Sequence, residues 1–327
     1  MLVHHDPVAP PAIAAGTVVS IGAYDGVHRG HRAVLRLVRE LADARGLESA
    51  VVTFDRHPAE VVRPESAPLL LTSPEQKVEL LAETGLVDHM VVLTFDEARS
   101  KETADDFVRE VLVGICSAKL VVVGADFHFG HNRAGNVAML EEVGAQLGFE
   151  VIGLGLVADS PGGAAYSSTR ARRLLADGDV EAAAEVLGRP HAVRGVVEEG
   201  DHRGRELGFP TANMAVPARI GLPADGVYAG TVVLPDGTEH LGAISLGRRP
   251  TFYDDRGMRL LEPYLLDFDG DLYGQLLEVR FVHHLRPQLK FDGVDALVEQ
   301  MNKDVARTRE LLDTLPVVRS APKGRHA

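Results

Sequence analysis

The 327 residues carry 34 Lys and Arg against 47 Asp and Glu, a formal charge of −13. A chain of this length admits two domains at ~150 residues each, and the acidic balance excludes a general nucleic-acid binder, whose affinity rests on clustered cations. The single cysteine, Cys116, excludes an internal disulfide, reads as a small buried side chain and fits a reducing cytoplasm.

Residues 1–16 hold His4, His5 and three prolines but neither a basic start nor an apolar stretch, so no secretory leader is expected there. No apolar run nears the ~18 residues of a membrane span. Between 17 and about 187, short β-rich runs (17–21, 50–54, 89–95, 120–124, 151–156) alternate with helical patterns at 31–45, 74–84, 103–113 and 136–147. That alternation predicts a parallel α/β sheet. The helix at Pro74 is the best signalled, with Ser73 as N-cap and Gln76 completing a capping box.

The first run leads into GAYDGVHRGH (22–31), followed by Val34, Leu37, Val38 and Leu41 at helical spacing. Two histidines three apart would by themselves suit a metal pair or an ordinary helix start. The glycines and the strand before them favour a phosphate site, because a helix N-terminus offers unpaired N–H groups and the positive end of its dipole. Gly22, Asp25, His28, Gly30 and His31 are the candidates there. Ligands of open α/β sheets bind beyond the carboxyl ends of the strands. His57 in TFDRHP (53–58) and Asp126 in GADFHFG (124–130) follow two further strands, and SSTRAR (167–172) opens a basic helix with hydroxyl donors and guanidinium forks.

The helix pair 169–177 and 179–187 stops at Gly188-Arg189-Pro190, which predicts a boundary at 188–192. Beyond it the rhythm changes to strands and turns at 193–198, 226–234, 240–246, 259–268 and 275–282, with Pro235-Asp236-Gly237 as a hairpin turn. A compact β-barrel is expected, closed by a helix reaching about 315 whose Leu297, Met301 and Val305 are packing residues. The segment GDHRGRELGFPTAN (200–213) brings glycines, Gly204 and Gly208 among them, before Thr211 and Asn213. Those two put a hydroxyl and an amide oxygen on one face of an extended chain, a hard-oxygen pair that suits Mg²⁺ held mainly by ATP, although the segment by itself reads as a solvated glycine-rich loop.

Taken in order, these motifs resemble the bacterial bifunctional riboflavin kinase/FMN adenylyltransferase family, also called FAD synthetase. GAYDGVHRGH, TFDRHP, GADFHFG, SSTRAR, GRELGFPTAN, DGVYAG and the RPTF…LEPYLLDF…DLYG series carry the resemblance from about 17 to about 312. It implies a Rossmann-like nucleotidyltransferase domain (1–187), a linker (188–192), an antiparallel riboflavin-kinase barrel with a terminal helix (193–315) and a frayed basic tail (316–327). By resemblance, His28 and His31 stabilise charge on the α-phosphate of ATP, with Ser168, Thr169 and Arg172 as further phosphate contacts. His57 and Asp126 would line the nucleotide and flavin pocket. PTAN would be the Mg-ATP segment, and Glu262 the general base for the riboflavin 5′-hydroxyl. Riboflavin, FMN and ATP are the implied partners, with FAD as final product, Mg²⁺ as metal and the cytoplasm as location. The chain departs from the family pattern at Ala23, Arg56 and Ala171.

Two rivals were open at this level. One is a nucleotidyltransferase acting on another phosphorylated alcohol; the attached barrel with GFPTAN and Glu262 argues against it. The other is a non-catalytic nucleotide-binding regulator, against which stand His28, His31, Thr211, Asn213 and Glu262.

Overall fold

The computed structural model describes residues 1–7, 15–155, 157–160, 162–199, 208–248 and 259–313. Contacts divide the chain into two compact units, Met1–Ser168 and Thr169–Ala327.

The first unit is a parallel sheet of β1 (Leu2–His5), β2 (Thr17–Ile21), β3 (Glu48–Phe54), β4 (His89–Leu93), β5 (Ala118–Gly124) and, after a short antiparallel ribbon of β6 (His128–Phe129) with β7 (Gly135–Asn136), β8 (Glu150–Leu154). Its order is β1-β4-β3-β2-β5-β8. β2 and β4 are buried at every residue, which is why they read as mostly apolar runs without alternation. β1 escaped sequence reading because its four residues are polar or edge-exposed and show no period; pairing with β4 makes it a strand.

The intervening helices are α1 (Arg29–Arg45), α2 (Ala59–Val62), α3 (Pro74–Glu83), α4 (Glu97–Ser100), α5 (Ala104–Phe107) and α6 (Val137–Leu147). The 103–113 pattern is not one uniform α-helix. It leaves α5 as a π-helical stretch over Val108–Ile115, which sets Val108, Val111, Leu112 and Ile115 against the core. Cys116 lies at its end, fully buried, with its thiol pushed up to about 12 by burial and so inert. From β2 the chain steps to β3 and β4 on one side, then crosses back to β5 on the other. β2 is therefore the switch point of the sheet, and the loop that follows it is placed for a ligand.

α7 (Ser168–Ala176) starts on the last residue of the first unit; in the second unit the rest of it and α8 (Val180–Leu187) precede a closed barrel of β9 (His191–Glu198), β10 (Asn213–Ala215), β11 (Gly226–Val233), β12 (Glu239–Arg248), β13 (Arg259–Leu265) and β14 (Leu276–Arg286). Neighbouring strands are antiparallel in the order β10-β13-β12-β11-β14-β9. α8 ends on Gly188 at φ 76, the left-handed cap expected of the glycine before Arg189-Pro190. The Pro235-Asp236-Gly237 turn closes with the Leu234 N–H donating to the Thr238 carbonyl at 2.9 Å. α9 (Val294–Leu312) packs on β11, so both faces of that strand are covered and Tyr228 and Ala229 are equally buried. Its inward face holds Leu297, Met301 and Val305 at partial burial, with Asp304 and Thr308 buried among them. Asp304 is tolerated there because the Arg286 guanidinium forks onto it at 2.7–3.1 Å.

Candidate active site

The loop after β2 is held in an uncommon backbone shape. Tyr24, Gly26 and Val27 have φ of 51, 81 and 38, and Val27 is a buried β-branched residue in a region such residues avoid. Asp25 secures it. Its carboxylate accepts the Leu71 N–H at 2.9 and 3.1 Å, the Thr72 N–H at 3.1 Å and the Thr72 hydroxyl at 3.3 Å. Those bonds aim Asp25 at the 71–72 segment, where it organises the loop.

The turn ends on His28, the N-cap of α1, whose Nδ1 accepts the His31 N–H at 3.3 Å and thereby places its own proton on Nε2. The His28 and His31 rings stack with centroids 3.6 Å apart. Gly30 permits that approach: a Cβ there would meet the His28 ring at 3.0 Å and the Tyr166 carbonyl at 3.0 Å. The His31 Nδ1 is buried without a hydrogen-bond partner among the described residues. Burial, then the nearby His28 and Lys77, drive the His31 pKa well below 6.5, so the ring is neutral at pH 7. Ser168 donates from its hydroxyl to the Asp25 carbonyl at 2.8 Å, which brings the start of α7 to this turn. Gly22 donates to the Val52 carbonyl at 3.1 Å and joins the turn to β3.

A small recess opens beside the turn, lined by Ala23, Asp25, Asp55, Arg56, His57 and Lys77 among others. His57 accepts the Ala59 N–H on Nδ1 at 3.1 Å, leaving its Nε2 as the protonated nitrogen. Arg56 forks onto the Asp55 carboxylate at 2.9 and 3.1 Å. Burial pushes Asp55 up, but Arg56 and the Phe95 N–H outweigh it and hold the carboxyl below its ordinary value. Asp126 stands apart from the recess lining, exposed in the loop after β5, while Phe129 of the same motif is buried in the core. Phe129, with Phe127 partly buried beside it, is thus packing.

Sequence reading passed over Lys77. It is 9% exposed and donates to the carbonyls of Phe54 at 2.6 Å and Ala23 at 3.4 Å and to the Thr53 hydroxyl at 3.3 Å. A cation in the first turn of a well-capped helix, where the dipole disfavours it, was the available signal.

In the barrel the second set assembles across strands. Met214 pairs with Leu261 and Thr211 with Tyr264, which places Asn213 directly opposite Glu262 on the adjoining strand. Ser245 of β12 flanks Glu262 on the other side. Ala212, Leu261 and Pro263 are buried, so Thr211, Asn213 and Glu262 occupy the opposite, half-buried face. Opposed side chains on such a pair start about 5 Å apart at Cβ. The preceding Phe209 packs edge-on to Tyr264 at 5.3 Å, and Gly208 turns the chain at φ 82. Gly204 and the 316–327 tail lie outside the described residues. Thr169 is exposed and Arg172 half-buried on the first turn of α7.

A parallel sheet with a histidine pair capping a helix at its switch point, joined to a closed barrel carrying an aligned oxygen-donor set, defines a two-part nucleotide-handling enzyme. The FAD synthetase family model matches residues 11–170 and the riboflavin kinase model residues 187–312. The chain is 36% identical to the bifunctional riboflavin kinase/FMN adenylyltransferase of Haemophilus influenzae over 92% of this chain and 96% of that one. Against the Escherichia coli K12 protein of the same description the figures are 38%, 90% and 92%. A solved Streptococcus pneumoniae structure, described as a macrolide-efflux protein, superposes at TM-score 0.83 with 31% identity, covering 94% of this chain and 99% of that one. Among the described residues no helix is long and apolar enough to cross a membrane. The chain belongs to the bifunctional riboflavin kinase/FMN adenylyltransferase family.

Proposed function

We propose that the chain phosphorylates riboflavin at the barrel and adenylylates the resulting FMN at the β2–α1 turn, each centre using its own ATP. The observation that carries the assignment is the pairing of two unlike sites on one chain: a stacked histidine pair at a helix N-terminus, and a carboxylate aligned with an amide and a hydroxyl on a barrel face.

In the first reaction Glu262 accepts the proton of the riboflavin 5′-hydroxyl as that oxygen bonds to the γ-phosphorus of ATP. The bond from phosphorus to the bridging oxygen breaks, and FMN and ADP result. Thr211 and Asn213 offer only oxygen donors beside Glu262, a set that fits Mg²⁺ held together with ATP phosphates. When bound, the ion would neutralise charge on the phosphates. Gly208 would let its backbone N–H reach those phosphates.

In the second reaction a phosphate oxygen of FMN attacks the α-phosphorus of ATP, the bond to the bridging oxygen toward the β-phosphorus breaks, and FAD and pyrophosphate leave. His28 donates from Nε2, and His31 supplies a neutral ring whose affinity for a proton rises beside a polyphosphate. The N-terminal dipole of α1 adds positive potential, and Gly22 and Gly30 keep the backbone near the ligand. Ser168, Thr169 and Arg172 are proposed as further phosphate contacts, Asp25 as the loop's anchor within the site, and His57 and Asp126 as nucleotide and flavin contacts. The functional halves are taken as 1–187 and 193–315, joined by 188–192, and a reducing cytoplasm suits the lone buried thiol.

The test is a pair of variants assayed on both reactions. Glu262→Gln is expected to lose riboflavin phosphorylation by ~10³-fold while converting supplied FMN to FAD at the normal rate. His31→Gln should do the reverse, with a loss of ~10²-fold or more in adenylyl transfer. Loss of both activities in either variant would contradict separate centres.

A further inference from the structure

Lys77 breaks two local rules at once. It sits in the first turn of α3, where the helix dipole repels a cation, and its ammonium is buried, which ammonium groups almost never are unless paired. Its three contacts are neutral: the Phe54 and Ala23 carbonyls and the Thr53 hydroxyl. They come from two places that the chain must hold together, the loop after β2 and the carboxyl end of β3. Thr53 in turn donates to the same Ala23 carbonyl at 3.2 Å. Violations of local preference that tertiary structure enforces concentrate at functional sites.

We propose, on the adenylyl-transfer reading above, that Lys77 is a positioning residue of that centre: it ties the histidine turn to β3 and sets a positive charge near His31 for the ATP phosphates. The groups around it are Asp25 from the β2 loop, Asp55 from the β3 end, and His31 from α1; Arg56 and His57 also line the recess it borders. The two carboxylates only partly offset burial, which brings the ammonium down to about 8. The burial of the Lys77 ammonium is thus only partly compensated, and a polyphosphate beside His31 would add to that compensation.

The experiment uses the full-length chain, supplied FMN and ATP, with kcat/KM for FAD formation followed from pH 6 to 9.5 and riboflavin phosphorylation as internal control. Wild type is expected to lose adenylyl transfer as pH rises through about 8, because kcat/KM follows the free enzyme. Lys77→Met, close in length but uncharged, should fall by about 30-fold in kcat/KM with unchanged kinase activity and no alkaline limb. Lys77→Arg, whose charge persists over this range, should retain more rate than the methionine variant and also lack the limb. A methionine variant with wild-type kcat/KM overturns the proposal, as does a wild-type profile flat to pH 9.5. If the methionine variant does not fold, the arginine variant decides: an unchanged alkaline limb overturns the role, and its disappearance supports it. Wild type that makes no FAD from FMN and ATP would overturn the underlying reading as well, which separates that failure from this one.

Discussion

At the scale of single residues, the charge state of His31 is the most consequential feature. Burial first, then His28 and Lys77, place its folded pKa well below 6.5. An unfolded chain protonates histidine near 6.5, so below that pH the unfolded state binds the additional proton. The sign follows: His31 costs nothing above 6.5, and stability declines as pH falls from there toward the lowered folded value. His31→Gln should remove part of this acid sensitivity, seen as a shallower loss of urea midpoint between pH 7 and 5 than wild type shows. Parallel curves for the two proteins would mean that the ring takes up its proton in place. His28, Gly30, Glu262 and Asn213 were all legible as residue types in motifs. What spacing did not reveal was the 3.6 Å stacking of the two imidazoles, which depends on Gly30 lacking a Cβ.

Among elements, the β2–α1 loop shows how sequence legibility ends where tertiary bonds begin. Asp25 reads as a turn residue near phosphates, yet its carboxylate binds the N–H groups of Leu71 and Thr72, some 46 positions away. Asp25→Ala would leave those buried donors unpaired and release a loop with three positive-φ residues. It should destabilise the first unit by about 3 kcal/mol and depress adenylyl transfer, while riboflavin phosphorylation continues. Denaturant unfolding with both assays checks this; an unchanged unfolding midpoint would show that Asp25 is not an anchor. β10 illustrates the same limit. Its three residues carry no periodic signal, and only pairing with β9 and β13 makes a strand that starts at the last residue of PTAN and brings Asn213 opposite Glu262. α3 was fully legible, since Ser73, Pro74 and Gln76 encode its start within four residues. The burial of Lys77 on that helix was not, because it depends on β2 and β3.

For the whole molecule, alternation of strand and helix followed by strands and turns was enough to foresee a parallel sheet and a compact β-barrel. Both arise because each element has an apolar face that only this layering buries. The two contact units part at Ser168/Thr169, whereas the second family match begins at 187. α7 thus carries Ser168, bonded to the histidine turn, at its start, and the remainder of the helix groups with the second unit. The central claim is that one acidic chain runs two phosphate chemistries in sequence, with FMN as product of one centre and substrate of the other. A time course with riboflavin, ATP and Mg²⁺, separating flavins by chromatography and following pyrophosphate, tests this directly. FMN should appear first and decline as FAD accumulates, with one pyrophosphate released per FAD. FMN that accumulates without FAD or pyrophosphate, or a chain that leaves riboflavin unconverted, would contradict the account.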